Sequence, residues 1–467
     1  MMEEEARVKL DTEGNSIQKQ SWIDKHVSYT TLLFIFFFAN TITYLERVVI
    51  SGSSEKILEF VRKSIPTHEN TYFGALSSAF ILGYSVTSVI FGYWVTRKPP
   101  FKVTSFGLIC WLIASLMSGL APNYWVLLIA RMISGVGEAS FHIVVPSYIN
   151  DTSPRSMLGT SMALLYAGTP IGTALGFILS GWVSQNYSWR YMYLFVAPLM
   201  LPLIIIINSI SFTPKRDEND KMTFMQATWT LLKKPLFIFA CITAAAGIYL
   251  CGSYLAFGNQ LLIHLGFFDN EAISSLAYGT VCCVAGVVGS WLGGWALNRF
   301  GVKETDTPAT TMVIFSKHLM VCASICFLFC GLTALVVHSR VLFLLFFFFG
   351  FTGIFMSNPS WNLIVLNAAP PLVRPMAIAV SILFNHIFGD VPGPILTGRF
   401  LDACLRWAGG DEHRKWLSYV FTHLFILLSL IIVVSAATIV LCITKKAYRK
   451  EQEGLISQKH IEQVIDV

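Results

Sequence analysis

Residues 123–149 read NYWVLLIARMISGVGEASFHIVVPSYI, an apolar stretch that contains two opposite charges, Arg131 and Glu138. The charges are about two helical turns apart, so a helix places both on one face. A charge at the middle of a lipid bilayer costs at least ~2.5 kcal/mol, and a charged residue that is kept there marks a functional site by default. The stretch therefore predicts a membrane-spanning helix that carries buried ionic groups.

The whole chain has the composition of a membrane protein. Of its 467 residues 54% are hydrophobic and only 13% are charged, which excludes a soluble globular fold. Apolar segments near the ~20 residues that a helix needs to cross hydrocarbon recur twelve times, and we predict an all-α protein with twelve transmembrane helices. The segments are 28–50, 72–95, 103–120, 123–149, 156–183, 190–212, 235–262, 272–298, 313–337, 341–367, 373–399 and 416–443.

Basic residues predict the orientation of these helices, because Lys and Arg gather in short cytoplasmic loops. The N-terminal arm 1–27, the even-numbered loops and the tail 444–467 hold 22 of the 33 Lys and Arg, whereas the odd-numbered loops hold nine. We therefore expect both termini to be cytoplasmic. The net charge of +6 follows from this bias and does not indicate a nucleic-acid surface. The run 28–50 is too long for a cleaved signal peptide, so we expect it to be retained.

The chain divides into two halves of six helices, 28–212 and 235–443, joined by a polar cytoplasmic linker at 213–234. An internal repeat supports the division, since Gly92-Tyr-Trp-Val-Thr-Arg97 after the second segment matches Gly294-Trp-Ala-Leu-Asn-Arg299 after the eighth. This arrangement resembles the major facilitator superfamily of secondary transporters, and the resemblance implies that fold.

The resemblance also assigns a role to the two arginines of the repeat. In the superfamily an Asp normally precedes each of them and belongs to a gating charge network on the cytoplasmic face. Here Thr96 and Asn298 stand at those positions, so the gating role that we carry over to Arg97 and Arg299 lacks its usual acidic partner.

The chain resembles the Spinster family over about residues 25–445, and three motifs carry the resemblance. They are Tyr44-Leu-Glu46-Arg47, Gly135-Val-Gly137-Glu138-Ala-Ser-Phe141 after Arg131, and Asn385-His386-Ile-Phe-Gly389-Asp390 before Pro394 and Gly398. The resemblance implies an alternating-access carrier for lysophospholipids or sphingoid lipids such as sphingosine phosphate. It also implies coupling to protons and a place in lysosomal membranes.

Glu46, Arg47 and Glu138 are the residues for which we predict proton coupling. Glu46 and Arg47 are adjacent and point about 100° apart on a helix, so each needs its own partner, and Arg47 is free to pair with Glu138. Desolvation favours the neutral carboxyl, whereas a neighbouring Arg favours the carboxylate. Movement of Arg47, or arrival of an anionic head group, would then change the protonation of Glu138. The alternative is a static buried salt bridge that fixes helix register.

His386 and Asp390 stand four residues apart on one helix face, where an imidazole titrates near neutral pH or donates to a phosphate oxygen. We predict that they bind substrate together with Arg47. The alternative is a His–Asp hydrogen bond that only satisfies both groups. His142, four residues after Glu138, is a further candidate for the same cavity.

Arg131 lies nearer the outer end of its helix than Glu138, and the alternatives for it are a gate or a side chain that snorkels to the interface. In the tenth segment Pro359 predicts a broken helix whose freed carbonyls face a cavity, which makes Trp361 and Asn362 substrate-binding candidates. In the fifth segment small residues surround Pro170 at four-residue spacing, which favours close packing, with a hinge for gating as the alternative.

The tail sequence Glu451-Gln-Glu-Gly-Leu455-Ile456 resembles an acidic dileucine signal that adaptor proteins read. It favours a lysosomal or late endosomal membrane, with the plasma membrane as the alternative. No Walker-type loop is present, so we predict no coupling to ATP hydrolysis. We expect no cofactor.

Three functions remain open from the sequence. The first is a proton-coupled lysolipid carrier that exports from an acidic lumen to the cytosol. The second is a carrier of another small organic ion or sugar. The third is a receptor or scaffold that does not transport, which the buried ionisable groups argue against.

Overall fold

A computed structural model describes residues 28–95, 98–153, 158–210, 224–300, 306–369 and 374–465, and these parts of the chain are helical with short connections. Helices suit a bilayer because they satisfy their backbone polar groups internally. The helices are α1 Tyr29–Arg47, α2 Val49–Gly52, α3 Ser54–Ser64, α4 Glu69–Trp94, α5 Pro100–Leu120, α6 Tyr124–Thr152, α7 Leu158–Asn186, α8 Arg190–Asn208, α9 Phe224–Leu232, α10 Pro235–His264, α11 Glu271–Phe300, α12 Pro308–Thr333, α13 Arg340–Ala368, α14 Arg374–Asn385, α15 Pro392–Ala408, α16 Glu412–Leu427 and α17 Ser429–Ile465.

Eleven helical stretches of the described chain are long and apolar enough to cross a membrane. They correspond to the second to twelfth predicted segments. The first predicted segment, 28–50, is also helical, as α1 and the start of α2, although it is not among the eleven. The helices α1–α8 form the N-terminal half and α10–α17 form the C-terminal half.

The first segment contains a break that the sequence pattern did not indicate. The helix α1 ends at Arg47, and two short interruptions at Val48 and Ser53 separate it from α2 and α3. Small residues let α7 approach this break, because a Cβ on Gly52 would lie 3.2 Å from the Phe177 backbone. The Ser53 hydroxyl donates to the Ser180 carbonyl oxygen at 3.1 Å. The break therefore places the charged end of α1 inside the bundle.

The predicted break at Pro359 is wrong, because α13 runs without interruption from Arg340 to Ala368 with this proline inside it. Proline removes one backbone hydrogen bond, and packing in the bundle tolerates that loss. The Asn362 side chain donates to the Asn358 carbonyl oxygen at 3.0 Å, which supports the same turn.

The eleventh segment contains a π-helical turn, His386–Asp390, between α14 and α15. The Val391 N–H donates to the His386 carbonyl oxygen at 3.0 Å, five residues back. Pro392 has no N–H and begins α15, which fits a change of hydrogen-bond register at this point. Turns of this kind often occur at functional sites.

The polar connections contain more helix than we predicted. Residues 224–232 of the predicted linker form α9, and α17 continues through the predicted tail to Ile465. Thr307 donates to the Glu451 carboxylate at 3.0 Å, which fastens the extended helix to the start of α12. Leu455 and Ile456 lie in this helix, and the structure does not describe their side chains.

The two halves meet through α4 with α15 and through α7 with α11. Glycines allow the close approach. A Cβ on Gly74 would lie 2.2 Å from the Pro394 carbonyl oxygen, and one on Gly398 would lie 2.1 Å from that of Asn70. Such contacts stabilise helix pairs in membranes, where lipid tails leave little hydrophobic drive between helices.

The small residues around Pro170 pack α7 against α1, as their spacing predicted. A Cβ on Gly172 would lie 2.3 Å from the Thr41 carbonyl oxygen, and one on Gly176 would lie 2.6 Å from that of Leu45. Pro170 lies within the uninterrupted helix α7.

Candidate functional site

Glu46 at the end of α1 is completely buried and pairs with Arg131 of α6, which is 1% exposed. Arg131 Nη1 donates to Glu46 Oε1, and the Ser134 hydroxyl donates to Glu46 Oε2 at 3.2 Å. Arg131 Nη2 also donates to the Arg47 carbonyl oxygen at 3.4 Å, next to the break in the first segment. Arg131 is therefore held inside the bundle, and the snorkelling interpretation of this residue is wrong.

Glu138, the second buried carboxyl of the cluster, faces Arg47. Arg47 Nη1 lies 3.8 Å from Glu138 Oε1, so the predicted contact between them is present. Neither carboxyl oxygen of Glu138 has a hydrogen-bond partner in the described structure, although the residue is completely buried. The Arg47 guanidinium rests over the rings of Tyr44 and Phe80, and its side chain is 18% exposed. Glu138 is thus held much more loosely than Glu46.

His142 joins this cluster from the next turn of α6. Its Nδ1 lies 3.6 Å from Glu138 Oε1, and its Nε2 lies 2.9 Å from Asn40 Oδ1. Asn40 in turn donates to the Leu165 carbonyl oxygen at 2.9 Å. The imidazole therefore lies beside the carboxyl and is oriented by α1.

His386 and Asp390 are paired across the π-helical turn, with Nδ1 and Oδ2 2.9 Å apart. The Tyr84 ring lies edge-on to His386 with centroids 5.5 Å apart, and edge-on to His142 with centroids 5.9 Å apart. Tyr84 thus connects the histidine of the N-terminal half with the histidine of the C-terminal half. The structure brings the two predicted groups of residues together through a side chain that we did not predict.

A cavity of about 30 Å³ lies where the halves meet, and Arg47, Arg131 and Asp390 all line it. This volume holds about one water molecule. Gly252 of α10 lines the same cavity, and a Cβ there would lie 2.9 Å from Asp390 Oδ1. Two cations and one carboxylate from opposite halves therefore share one small polar space.

Trp361 and Asn362 are not part of this cluster. Trp361 lines a separate cavity of about 70 Å³ inside the C-terminal half, between α10, α12, α13 and α17. The Asn362 side chain bonds within its own helix.

Of the remaining predicted gating residues, the structure describes Arg299 and Pro170. Arg97 lies outside the described residues, as does Thr96. Arg299 is exposed near the end of α11. Pro170 lies on α7 beside α1.

Sequence reasoning missed Tyr84, Asn40 and Ser134. Ser134 follows Arg131 by three residues, so helical spacing alone places it beside the arginine. Tyr84 and Asn40 each lie among other polar residues, Ser and Thr, of their segments, and nothing in the sequence distinguishes them from those neighbours.

Residues 27–394 match the Major Facilitator Superfamily. The chain is 27% identical over 431 residues to the "Probable sphingolipid transporter spinster homolog 2" of Arabidopsis thaliana, covering 85% of each protein. It is 24% identical to the sphingosine-1-phosphate transporter SPNS2 of Danio rerio, covering 82% of this chain and 78% of the relative.

Among solved structures, the chain is similar to a bacterial homologue of the human lysosomal transporter Spinster in an inward-facing, unoccupied form. The TM-score is 0.71 with 17% identity, covering 89% of this chain and 97% of the other. A D-xylose–proton symporter matches with a TM-score of 0.66 and 15% identity, covering 86% of this chain and 97% of the other. At these identities the structural likeness shows the fold.

Proposed function

Because this chain belongs to the Major Facilitator Superfamily and is a Spinster-like transporter rather than an enzyme, we propose that it carries lysophospholipids or sphingoid lipids by proton-coupled alternating access. The names of its relatives support the lipid class, since they include a sphingolipid and a sphingosine-1-phosphate transporter. The chain covers most of their length, so the whole transport unit is comparable.

The observation that carries the proton proposal is the state of Glu138. A buried carboxylate normally has several hydrogen bonds, and burial without them strongly favours the neutral acid. Among the described residues neither oxygen has a hydrogen bond, and Arg47 lies 3.8 Å away. A small displacement of Arg47 therefore decides whether the charged form of Glu138 is tolerated.

Coupling follows if substrate and Glu138 compete for Arg47. An anionic head group in the cavity attracts the Arg47 guanidinium, which lines that cavity. Glu138 then loses its counter-ion and takes up a proton. When the head group leaves, Arg47 returns, Glu138 releases the proton, and the site is reset. The carrier would thus bind lipid and proton together.

Glu46 has a different role in this scheme. Its carboxyl group accepts hydrogen bonds from Arg131 and Ser134, and these bonds keep Arg131 in place through the cycle. We assign it to positioning, with Glu138 as the group that exchanges the proton.

His386 and Asp390 supply the head-group contacts from the C-terminal half. Asp390 bonds to the imidazole of His386 at 2.9 Å and so orients it. With Nδ1 engaged, Nε2 is the nitrogen available to donate to a phosphate oxygen. Arg47 and His386 would then hold the phosphate from opposite halves, and a ligand that bridges two halves favours their closure around it.

We also propose that the carrier works in lysosomal or late endosomal membranes, with both termini in the cytosol and export from the acidic lumen. The proton gradient of such a compartment would drive Glu138 through its cycle. Adaptor binding at Leu455 and Ile456 would direct the protein there, and replacing both residues with alanine should move it to the plasma membrane. Unchanged distribution of a fluorescently tagged variant would contradict this assignment.

The function is tested by uptake of labelled lysophosphatidylcholine and sphingosine phosphate into proteoliposomes, with and without an imposed pH gradient. We expect uptake that the gradient stimulates and that Glu138→Gln loses. Glu59→Gln is the matched control, because Glu59 is exposed and pairs with Lys63 on the same helix. Uptake of neither lipid would favour a carrier of another organic ion or sugar. Gradient-stimulated uptake that persists in Glu138→Gln would refute the proton proposal alone.

A further inference from the structure

At one end of the bundle, which we call the closed end, hydrogen bonds join the two halves. This closed end consists of residues 52–71 from the N-terminal half and residues 259–275 and 402–406 from the C-terminal half. Two carboxylates of the C-terminal half, Asp402 and Glu271, reach across it to the first turns of two helices in the other half. Under the predicted orientation this end faces away from the cytosol.

Asp402 of α15 makes four hydrogen bonds with the start of α4. Its Oδ1 accepts from the Asn70 backbone N–H at 3.1 Å and from Asn70 Nδ2 at 2.9 Å. Its Oδ2 accepts from the Thr71 backbone N–H at 2.8 Å and from the Thr71 hydroxyl. First-turn N–H groups have no partner in their own helix, and a negative charge is favourable there. Asp402 therefore caps a helix that belongs to the other half.

Glu271, the first residue of α11, does the same for α3. Its Oε1 accepts from the Glu55 backbone N–H at 2.9 Å and from the Ser54 hydroxyl at 3.3 Å. Ser54 and Glu55 are the first two residues of α3. Two helix starts of the N-terminal half, those of α3 and α4, are thus capped from the C-terminal half.

Two adjacent side chains of α10 connect the caps. Asn259 Nδ2 lies 3.3 Å from the Ser54 hydroxyl, and Gln260 Nε2 lies 3.0 Å from Asn70 Oδ1. Ser54 and Asn70 are the same residues that Glu271 and Asp402 bind. One strip of α10 therefore touches both capped helix starts, and the caps form a continuous polar network across the boundary.

We propose that Asp402 and Glu271 form a cross-half lock that holds the closed end shut and is released when the carrier opens there. Alternating access requires the halves to separate at each end in turn. Separation at this end takes both carboxylates away from their N–H groups. The hydrogen bonds therefore stabilise only the closed form. Their whole free energy favours that form in the equilibrium between the closed and open forms. The proposal rests on the transporter fold and does not depend on which solute is carried.

A lock differs from two independent structural caps in its long-range effect. If each carboxylate only caps the helix start that it binds, removing one carboxylate frees the N–H groups of that helix start alone. If both hold one closed form, removing either one populates the open form and frees the N–H groups at both helix starts.

Amide hydrogen exchange of the full-length protein in nanodiscs, read by mass spectrometry, separates the two. We expect Asp402→Asn to accelerate exchange at Asn70 and Thr71 by about tenfold or more, the effect of losing charge-assisted hydrogen bonds. The decisive readout is Glu55, which should also exchange faster although Glu271 is intact. Glu271→Gln should have the reciprocal effect on Asn70 and Thr71, and it keeps the test valid if Asp402→Asn does not fold.

Asp411→Asn is the matched control, because Asp411 lies at the same end but caps α16 within its own half. Its Oδ1 accepts from the Arg414 N–H at 2.8 Å. We expect this variant to change exchange at the start of α16 only. The lock would be overturned if each variant accelerated exchange only at the helix start that its own residue caps, or if neither variant changed exchange at all. This conclusion does not depend on the result of the uptake assay.

Discussion

Glu46 and Glu138 are both completely buried, yet the structure predicts opposite effects of removing their charges. Glu46→Gln leaves the guanidinium of Arg131 in the bundle without its counter-ion. Removing one partner of a buried, hydrogen-bonded pair costs about 3–5 kcal/mol, because the other charge remains desolvated. Glu138→Gln removes no hydrogen bond among the described residues and replaces an acid whose burial already favours the neutral form, so it should cost about 1 kcal/mol or less.

Thermal unfolding of the purified variants in detergent measures the difference. For a unit of roughly 200 residues, the size of one half, each kcal/mol of lost unfolding free energy lowers Tm by about 2 °C. Glu46→Gln should therefore lower Tm by about 6–10 °C. Glu138→Gln should lower it by about 2 °C or less.

A double variant tests the cause of the destabilisation. Replacing a buried ion pair with apolar residues of similar size is often neutral or stabilising. Glu46→Leu combined with Arg131→Met should therefore recover most of the Tm that Glu46→Gln loses, while abolishing transport. Equal losses in the two single variants, or a double variant as unstable as Glu46→Gln, would refute the reasoning from hydrogen-bond partners.

Three further predictions concern other parts of the site and fold. His386→Ala should abolish uptake of phosphate-bearing lysolipids and lower the free energy of unfolding by only about 1 kcal/mol, because the His386 side chain is 17% exposed and makes one hydrogen bond. Normal uptake by this variant in proteoliposomes would show that His386 is not part of the site. Gly398→Ala should lower Tm by forcing α15 from α4, whereas Gly331→Ala, with open space around its Cβ, should not; equal Tm values would contradict the close approach. Pro359→Ala should leave Tm unchanged or raise it, because α13 is already continuous there, and a clear decrease would contradict this.

The sequence was sufficient for the class of protein and for the position of its charges. A bilayer admits few backbone solutions and makes each buried charge conspicuous, so hydrophobic segments and charged interruptions are informative one residue at a time. The contact between Arg47 and Glu138 followed from the same reasoning, because Glu46 and Arg47 point in different directions and need separate partners. The resemblance to Spinster proteins added the lipid class, which no composition implies.

Local pattern failed where packing decided the outcome. Pro359 predicts a break that α13 does not have, whereas the first segment breaks after Arg47 with no proline near. Proline only removes a hydrogen bond, and neighbouring helices determine whether the helix continues. Likewise, the sequence predicts one helix over 416–443 followed by a tail, whereas the structure has two helices there, α16 and the long α17.

The sequence by itself determined that this chain spans a membrane as two halves and which ionisable residues are buried in it. Only the tertiary structure decided which of those residues meet. The hydrogen bond between Glu46 and Arg131 joins residues 85 positions apart in the sequence, and the bond between Asp402 and Asn70 joins residues 332 positions apart. Such contacts depend on how whole helices pack, and helix packing is set by many small steric contacts at once. No local spacing rule contains that information.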